Sequence, residues 1–164
     1  MSINVKKALT AAAGVGGGID KITSRIFYDT QVMRKAAAIV CDKSTGDIYT
    51  ATSNDSAGTY RVTKLNSDLD IQWAKQYSNV SSSEKPSLVF DETNNFLFLT
   101  GKASSLNGVL ILKINPSDGT INLENVVDDG SVCRSRGVAL SSDNTKLYVG
   151  FKTSSTPGYV FLNT

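Results

Sequence analysis

The chain has 164 residues, with 17 Lys and Arg against 15 Asp and Glu, a formal net charge of +2 and no histidine. That length suits one domain with an appendage, and so even a charge balance, without a dense basic run, excludes the electrostatic footprint of a nucleic-acid binder. No apolar stretch approaches the roughly 20 residues of a membrane-spanning helix, so no membrane partner is expected.

Residues 1–18, MSINVKKALTAAAGVGGG, are rich in Ala and Gly and stand apart from the rest of the chain. Lys6 to Ala13 has good helix formers, and Gly14 with Gly16 to Gly18 would end such a helix and leave a flexible tether. A cleaved leader is the competing reading, with Lys6-Lys7 ahead of a mild apolar run, but Leu9 and Val15 are its only large apolar residues. The glycines are not a phosphate loop, because Ile19-Asp20 comes after them where Lys-Ser/Thr is needed. An anchor or tether over 1–18 is the expectation, ordered only against a partner. Residues 19–35 turn mixed polar and aromatic, and Arg25-Ile26-Phe27-Tyr28 has the content of a linking strand.

From Ala36 the chain repeats itself. Val62-Thr63-Lys64-Leu65-Asn66 returns 49 positions later as Ile111-Leu112-Lys113-Ile114-Asn115, and the same step carries Val40-Cys41-Asp42 onto Val89-Phe90-Asp91. The first repeat reads as a hairpin, Ala36 to Cys41 and Asp47 to Ala51 around the turn Lys43-Ser44-Thr45-Gly46, then a strand from Thr59 to Leu65 and a fourth around Ile71 to Tyr77. The second has Ser87 to Phe90, Phe96 to Thr100, Val109 to Ile114 and Thr120 to Val127. Its unbroken apolar run at Val109 predicts a sheet covered on both faces. The third has Gly137 to Leu140, Lys146 to Val149 and Tyr159 to Leu162, one residue out of strict register and one strand short.

Short four-stranded antiparallel units at a fixed period, covered by their neighbours, predict an all-β domain of about three β-propeller-like blades over residues 36–164, the last incomplete, behind an extended N-terminal arm. Gly46-Asp47-Ile48-Tyr49-Thr50-Ala51, Lys64-Leu65-Asn66 and Ile71-Gln72-Trp73 resemble bacterial and phage propeller repeats with the consensus G-x-I-Y-V-T-G, K-Y/L-N and G-x-x-x-W. The second repeat departs from it, with Asn122-Leu123 where the Trp is expected. The opening segment, Lys6 to Gly18 with Phe27-Tyr28 after it, is similar to the openings of structural proteins of marine tailed phages. That resemblance implies a virion location, an arm docked onto another virion component, and a displayed β domain in a tail, neck, fibre or capsid decoration. The alternative is a secreted or surface module binding glycan or protein through loops such as Ser53 to Gly58 and Ser104 to Gly108.

A propeller closes with four to eight blades, so three pose a closure problem. Either Ser24 to Met33 supplies the missing strand of the last blade, or chains assemble as a homo-oligomer.

Chemistry is sparse, and no catalytic, cofactor-binding or metal site is assigned. The missing histidine removes Ser-His and Cys-His catalysis and imidazole ligation, and Cys41 and Cys133 form no C-x-x-C pair. Both cysteines read as free, mostly buried thiols. The acidic pairs Asp42 with Asp47, Asp68 with Asp70 and Asp128-Asp129 lie in or beside turns, where Asp caps backbone amides. Trp73 with Tyr77 reads as packing rather than a sugar platform, and Arg134 with Arg136 as a solvated connector rather than an anion site. No enzyme activity is expected.

Overall fold

The structure, a computed structural model, describes residues 4–9, 23–28 and 35–164 apart from 55–56, 82–83, 105–106, 129–133 and 154–155, with side chains from residue 38 onward. The chain divides into two compact units, Met1–Val32 and Met33–Thr164.

In the first unit, β1 (Asn4–Leu9) pairs antiparallel with β2 (Thr23–Tyr28), from Asn4 opposite Tyr28 to Leu9 opposite Thr23. This corrects the helix expected from Lys6, since Lys6 to Leu9 is strand, and residues 10–13 lie outside the described residues. A helix of that length is marginal in water, whereas the β-branched and aromatic β2 offers a hydrogen-bonding edge that β1 fills. The described opening is therefore a hairpin rather than a plain extended arm. Ser24 to Tyr28, part of the segment offered as one way to complete the third repeat, pairs with β1, and residues 29–33 lie outside the described residues.

The second unit holds three antiparallel sheets, each with its strands in sequence order. Sheet 1 is β3 (Lys35–Cys41), β4 (Ile48–Asn54), β5 (Thr59–Leu65) and β6 (Ile71–Tyr77). Sheet 2 is β7 (Ser87–Asp91), β8 (Phe96–Lys102), β9 (Val109–Ile114) and β10 (Ile121–Val127). Sheet 3 is β11 (Arg134–Leu140), β12 (Lys146–Lys152) and β13 (Pro157–Asn163). Their registers coincide: Ile48 faces Leu65, Leu97 faces Ile114, and Leu147 faces Leu162. None of the three sheets closes on itself.

Because side chains alternate along a strand, each sheet has two faces, and two cores assign them. One core joins Tyr49, Ala51, Tyr60 and Val62 of sheet 1 to Leu97, Leu99, Leu110 and Leu112 of sheet 2. The other joins Phe98, Val109 and Ile111 of sheet 2 to Leu147 and Val149 of sheet 3. Sheet 2 is thus covered on both sides, which is why β9 reads as an unbroken apolar run. Leu97, Leu99, Leu110 and Leu112 are each at most 1% exposed, and burying a side chain of this kind contributes about 1.5–3 kcal/mol. Packing between sheets is close. A Cβ on Gly101 of β8 would overlap the ring of Tyr60, whose hydroxyl donates to the Ser81 carbonyl at 3.1 Å and accepts from the Lys102 amide at 3.2 Å. Burial pushes the Tyr60 phenol up to about 12.

Candidate functional site

Several of the residues that sequence reading singled out hold turns and sheets together. Asp42 closes the β3–β4 turn, accepting from the Ser44 amide at 2.8 Å, the Ser44 hydroxyl at 2.7 Å and the Thr45 hydroxyl at 2.8 Å. Burial alone would raise its pKa, but these hydrogen bonds outweigh burial and the net direction is down. Asp91 does the same in sheet 2, accepting from the Thr93 and Asn94 amides at 3.0 Å each. Asp47 turns elsewhere, to the Lys64 ammonium at 2.8 Å. Asp42 and Asp47 are therefore engaged separately, one with its own turn and one with β5. In the β5–β6 turn Asn66 is the organising side chain, accepting from the amides of Asp68 at 3.1 Å and Asp70 at 2.8 Å. Asp128 is exposed, and Asp129 lies outside the described residues.

The aromatic pair goes into the core. The Trp73 indole N–H donates to the Pro116 carbonyl at 3.0 Å, and the Tyr77 hydroxyl donates to the Gly119 carbonyl at 2.8 Å, so both rings tie sheet 1 to the β9–β10 turn. Gly119 has φ +74°, and a Cβ there would press on the Trp73 ring. This costs the sugar-platform reading its aromatic surface. Arg134 and Arg136 are exposed, as a solvated connector would be, and in addition meet Glu84 at 3.2 and 3.7 Å, an ion pair between β11 and the segment leading into β7. Glu84 is 8% exposed, and the two guanidiniums compensate its buried carboxylate.

Cys41 is a free thiol but an exposed one, which corrects the buried reading, and Cys133 lies outside the described residues. Cysteine packs as a small hydrophobe on average, yet the β3 register sets Cys41 opposite Ile48, on the face of sheet 1 turned away from sheet 2. The loops offered for ligand binding are only partly described: residues 55–56 and 105–106 lie outside the described residues, while Ser53 and Asn54 are buried.

One position escaped the sequence reading and recurs in all three sheets. Tyr49 stands opposite Lys64, Phe98 opposite Lys113, and Tyr148 opposite Phe161. In sheet 1 the Lys64 ammonium lies 5.6 Å from the Tyr49 ring centroid, and in sheet 2 Lys113 lies 4.0 Å from Phe96 and 5.7 Å from Phe98, both within cation–π range. In sheet 3 an aromatic replaces the lysine, and Tyr148 and Phe161 pack with ring centroids 6.5 Å apart. Burial differs sharply. Tyr49 is 1% and Phe98 4% exposed, against 40% for Tyr148, 59% for Phe161 and 78% for the neighbouring Tyr159. This uncovered aromatic face of sheet 3 is the candidate functional surface. The Lys64-to-Lys113 echo was its signal in the sequence, and the shorter third repeat, with Phe161 in the lysine position, hid it.

No protein-family model matches the chain, and no curated protein matches it. Among solved structures, Kuenenia stuttgartiensis hydrazine synthase aligns at 16% identity and a TM-score of 0.44, over 84% of this chain. The chain spans 38% of the length of that protein chain.

Proposed function

We propose that the three sheets are β-propeller-like blades and that the chain is a structural virion protein, its N-terminal segment docking onto another virion component and its repeat domain displayed as part of the particle. The observation that carries the structural role is how the polar side chains are used. Asp42 and Asp91 close turns, Asp47 holds Lys64, and Glu84 holds Arg134 and Arg136. Such a molecule puts its polar chemistry into shape. The virion location is supported by the opening segment's similarity to phage structural proteins. The hairpin β1–β2, in a compact unit of its own, is the element proposed to dock.

Mass spectrometry of purified particles tests this role. The protein is expected in particles at a fixed stoichiometry, and deleting residues 1–32 is expected to release it from them. Finding it in host cells but never in particles would sink the proposal.

A further inference from the structure

The two faces at the ends of the stack carry the residues that are buried at the two junctions inside it. At each internal junction the face of one sheet that carries Tyr49 or its equivalent Phe98 meets the opposite face of the next. Tyr49 of sheet 1 stacks on Phe90 of β7, with centroids 5.4 Å apart and planes 14° apart. Phe98 of sheet 2, at the Tyr49 position, packs in one core with Leu147 of sheet 3 and with Leu140, which holds the Phe90 position. The turns keep the same step: Lys43 reaches Glu92 of the next sheet at 3.8 Å, and the Asn144 amide donates to the Thr93 hydroxyl at 2.7 Å.

Continuing that step once more brings Tyr148 to an outer face equivalent to the one that receives Tyr49 and Phe98. Sheet 1 presents such a face. Its Cys41 holds the Phe90 position and its Ile39 the Leu88 position, by the same register. Leu88 is 7% exposed at the internal junction, whereas Ile39 is 69% exposed. The two end faces also differ in bulk in the complementary sense. Sheet 3 presents Tyr148, Tyr159 and Phe161, and sheet 1 presents Thr50 and Thr63 where sheet 2 has Leu99 and Leu112.

We propose that sheet 3 of one chain packs head to tail on sheet 1 of a second copy, with Tyr148 over Cys41 and Phe161 and Tyr159 covering Ile39. The contact is heterologous, because it joins two different faces, and such contacts form rings when the rotation closes. Two three-sheet chains make six sheets, within the four to eight of closed propellers. This inference rests on the reading of the sheets as propeller-like blades and stands or falls apart from the virion location.

The native mass of the full chain tests it, with Ile39→Lys and the double variant Tyr159→Lys/Phe161→Lys as probes and circular dichroism to show that each folds. The unaltered chain is expected as a two-chain species, and each variant alone is expected to lose it. An equimolar mixture of the two variants is expected to regain it in part, since one intact junction forms between an unaltered sheet 3 and an unaltered sheet 1. In a Cys133→Ser chain, alkylation of Cys41 is expected to slow as protein concentration rises. Three results would each overturn the proposal: a single chain at all concentrations, an Ile39→Lys chain that keeps its two-chain mass because sheet 3 faces pair with each other, or a Cys41 protected in a monomer by the chain's own hairpin.

Discussion

Sheet 2 and sheet 3 are built from the same repeat and live in different surroundings. Sheet 2 has a core on each face, so Leu97 and Leu99 point into one and Phe98 into the other. Among the described residues sheet 3 has a core on one face only, and Tyr148, at the Phe98 position, is 40% exposed. The difference shows that the repeat itself does not decide what is buried. Its neighbour does, as in other stacked repeat proteins, where each unit contributes a face that only the next unit covers.

The strongest way to break this comparison is to truncate the same position in both sheets. Phe98→Ala empties a packed core and is expected to cost about 3–5 kcal/mol of unfolding free energy. Tyr148→Ala removes an exposed ring, and at protein concentrations too low for association it is expected to stay within about 0.5 kcal/mol. Urea titration measures both. Equal losses would mean that sheet 3 is covered in the single chain.

The glycines extend the comparison to backbone packing. Gly101→Ala in β8 drives a methyl into the Tyr60 ring, an overpacking expected to cost about 1–3 kcal/mol. At Gly150 in β12 a Cβ meets, among the described residues, only the Gly137 carbonyl oxygen at 4.0 Å, and the equivalent residue of sheet 1 is Ala51. Gly150→Ala is expected to stabilise by about 0.4–1 kcal/mol, through the lost entropy of the unfolded chain. A destabilised Gly150→Ala chain would show β12 to be held as tightly as β8.

Most of the sheet domain was legible because its signals are local. Turn residues bracket each strand, and the observed strands from β4 to β10 begin within a residue of where those turns place them. β11 starts earlier than expected, at Arg134, because the longer β12 reaches Lys152 and pairs with it, across an irregularity between Ser135 and Gly137. The N-terminal hairpin was not legible. Lys6 to Leu9 has helical composition, and only pairing with a segment about twenty residues away makes it strand. Nor was the exposure of Cys41, since a thiol's face depends on register and on which sheet is terminal. The candidate surface was half legible: the aromatic and lysine positions recur in the sequence, but whether a third aromatic face has a cover is a property of the stack.

The lysine position separates two kinds of support at one site of the repeat. Lys64 lies 2.8 Å from Asp47, and both side chains are under a fifth exposed. Burial alone would lower the Lys64 pKa, but the Asp47 hydrogen bond reverses the direction to a rise. Lys64→Met strips that carboxylate of its partner and is expected to cost about 1–3 kcal/mol. Lys113 packs over the Phe96 and Phe98 rings, and a methionine there exchanges a cation–π contact of about 0.5–1 kcal/mol for a sulfur–aromatic one of similar size. Thermal unfolding of Lys113→Met is expected to match the parent chain. A loss equal to that of Lys64→Met would give the lysine one role in both sheets.

The smallest effect concerns the turns, where sheet 3 again departs from the others. Sheets 1 and 2 open this turn with Asp42 and Asp91, whereas sheet 3 opens it with Ser141 and carries the carboxylate two residues on. Asp143 accepts from the Ser141 hydroxyl, from the Thr145 amide at 3.1 Å and from the Thr145 hydroxyl at 2.9 Å. These bonds, the Ser141 one foremost, lower its pKa from 3.8 to about 2. A carboxylate whose pKa is depressed by folding binds its proton more readily in the unfolded chain, so its contribution to stability is present above pH 3.8 and is lost as pH falls through about 2. Its carboxyl carbon resonance, followed by NMR down to about pH 1.5, is expected to titrate near 2, and in a Ser141→Ala chain to move back toward 3.8. A midpoint near 3.8 in the parent chain would mean that the serine-led turn leaves its carboxylate in solvent, and that only the aspartate-led turns of sheets 1 and 2 are closed by their acidic side chain.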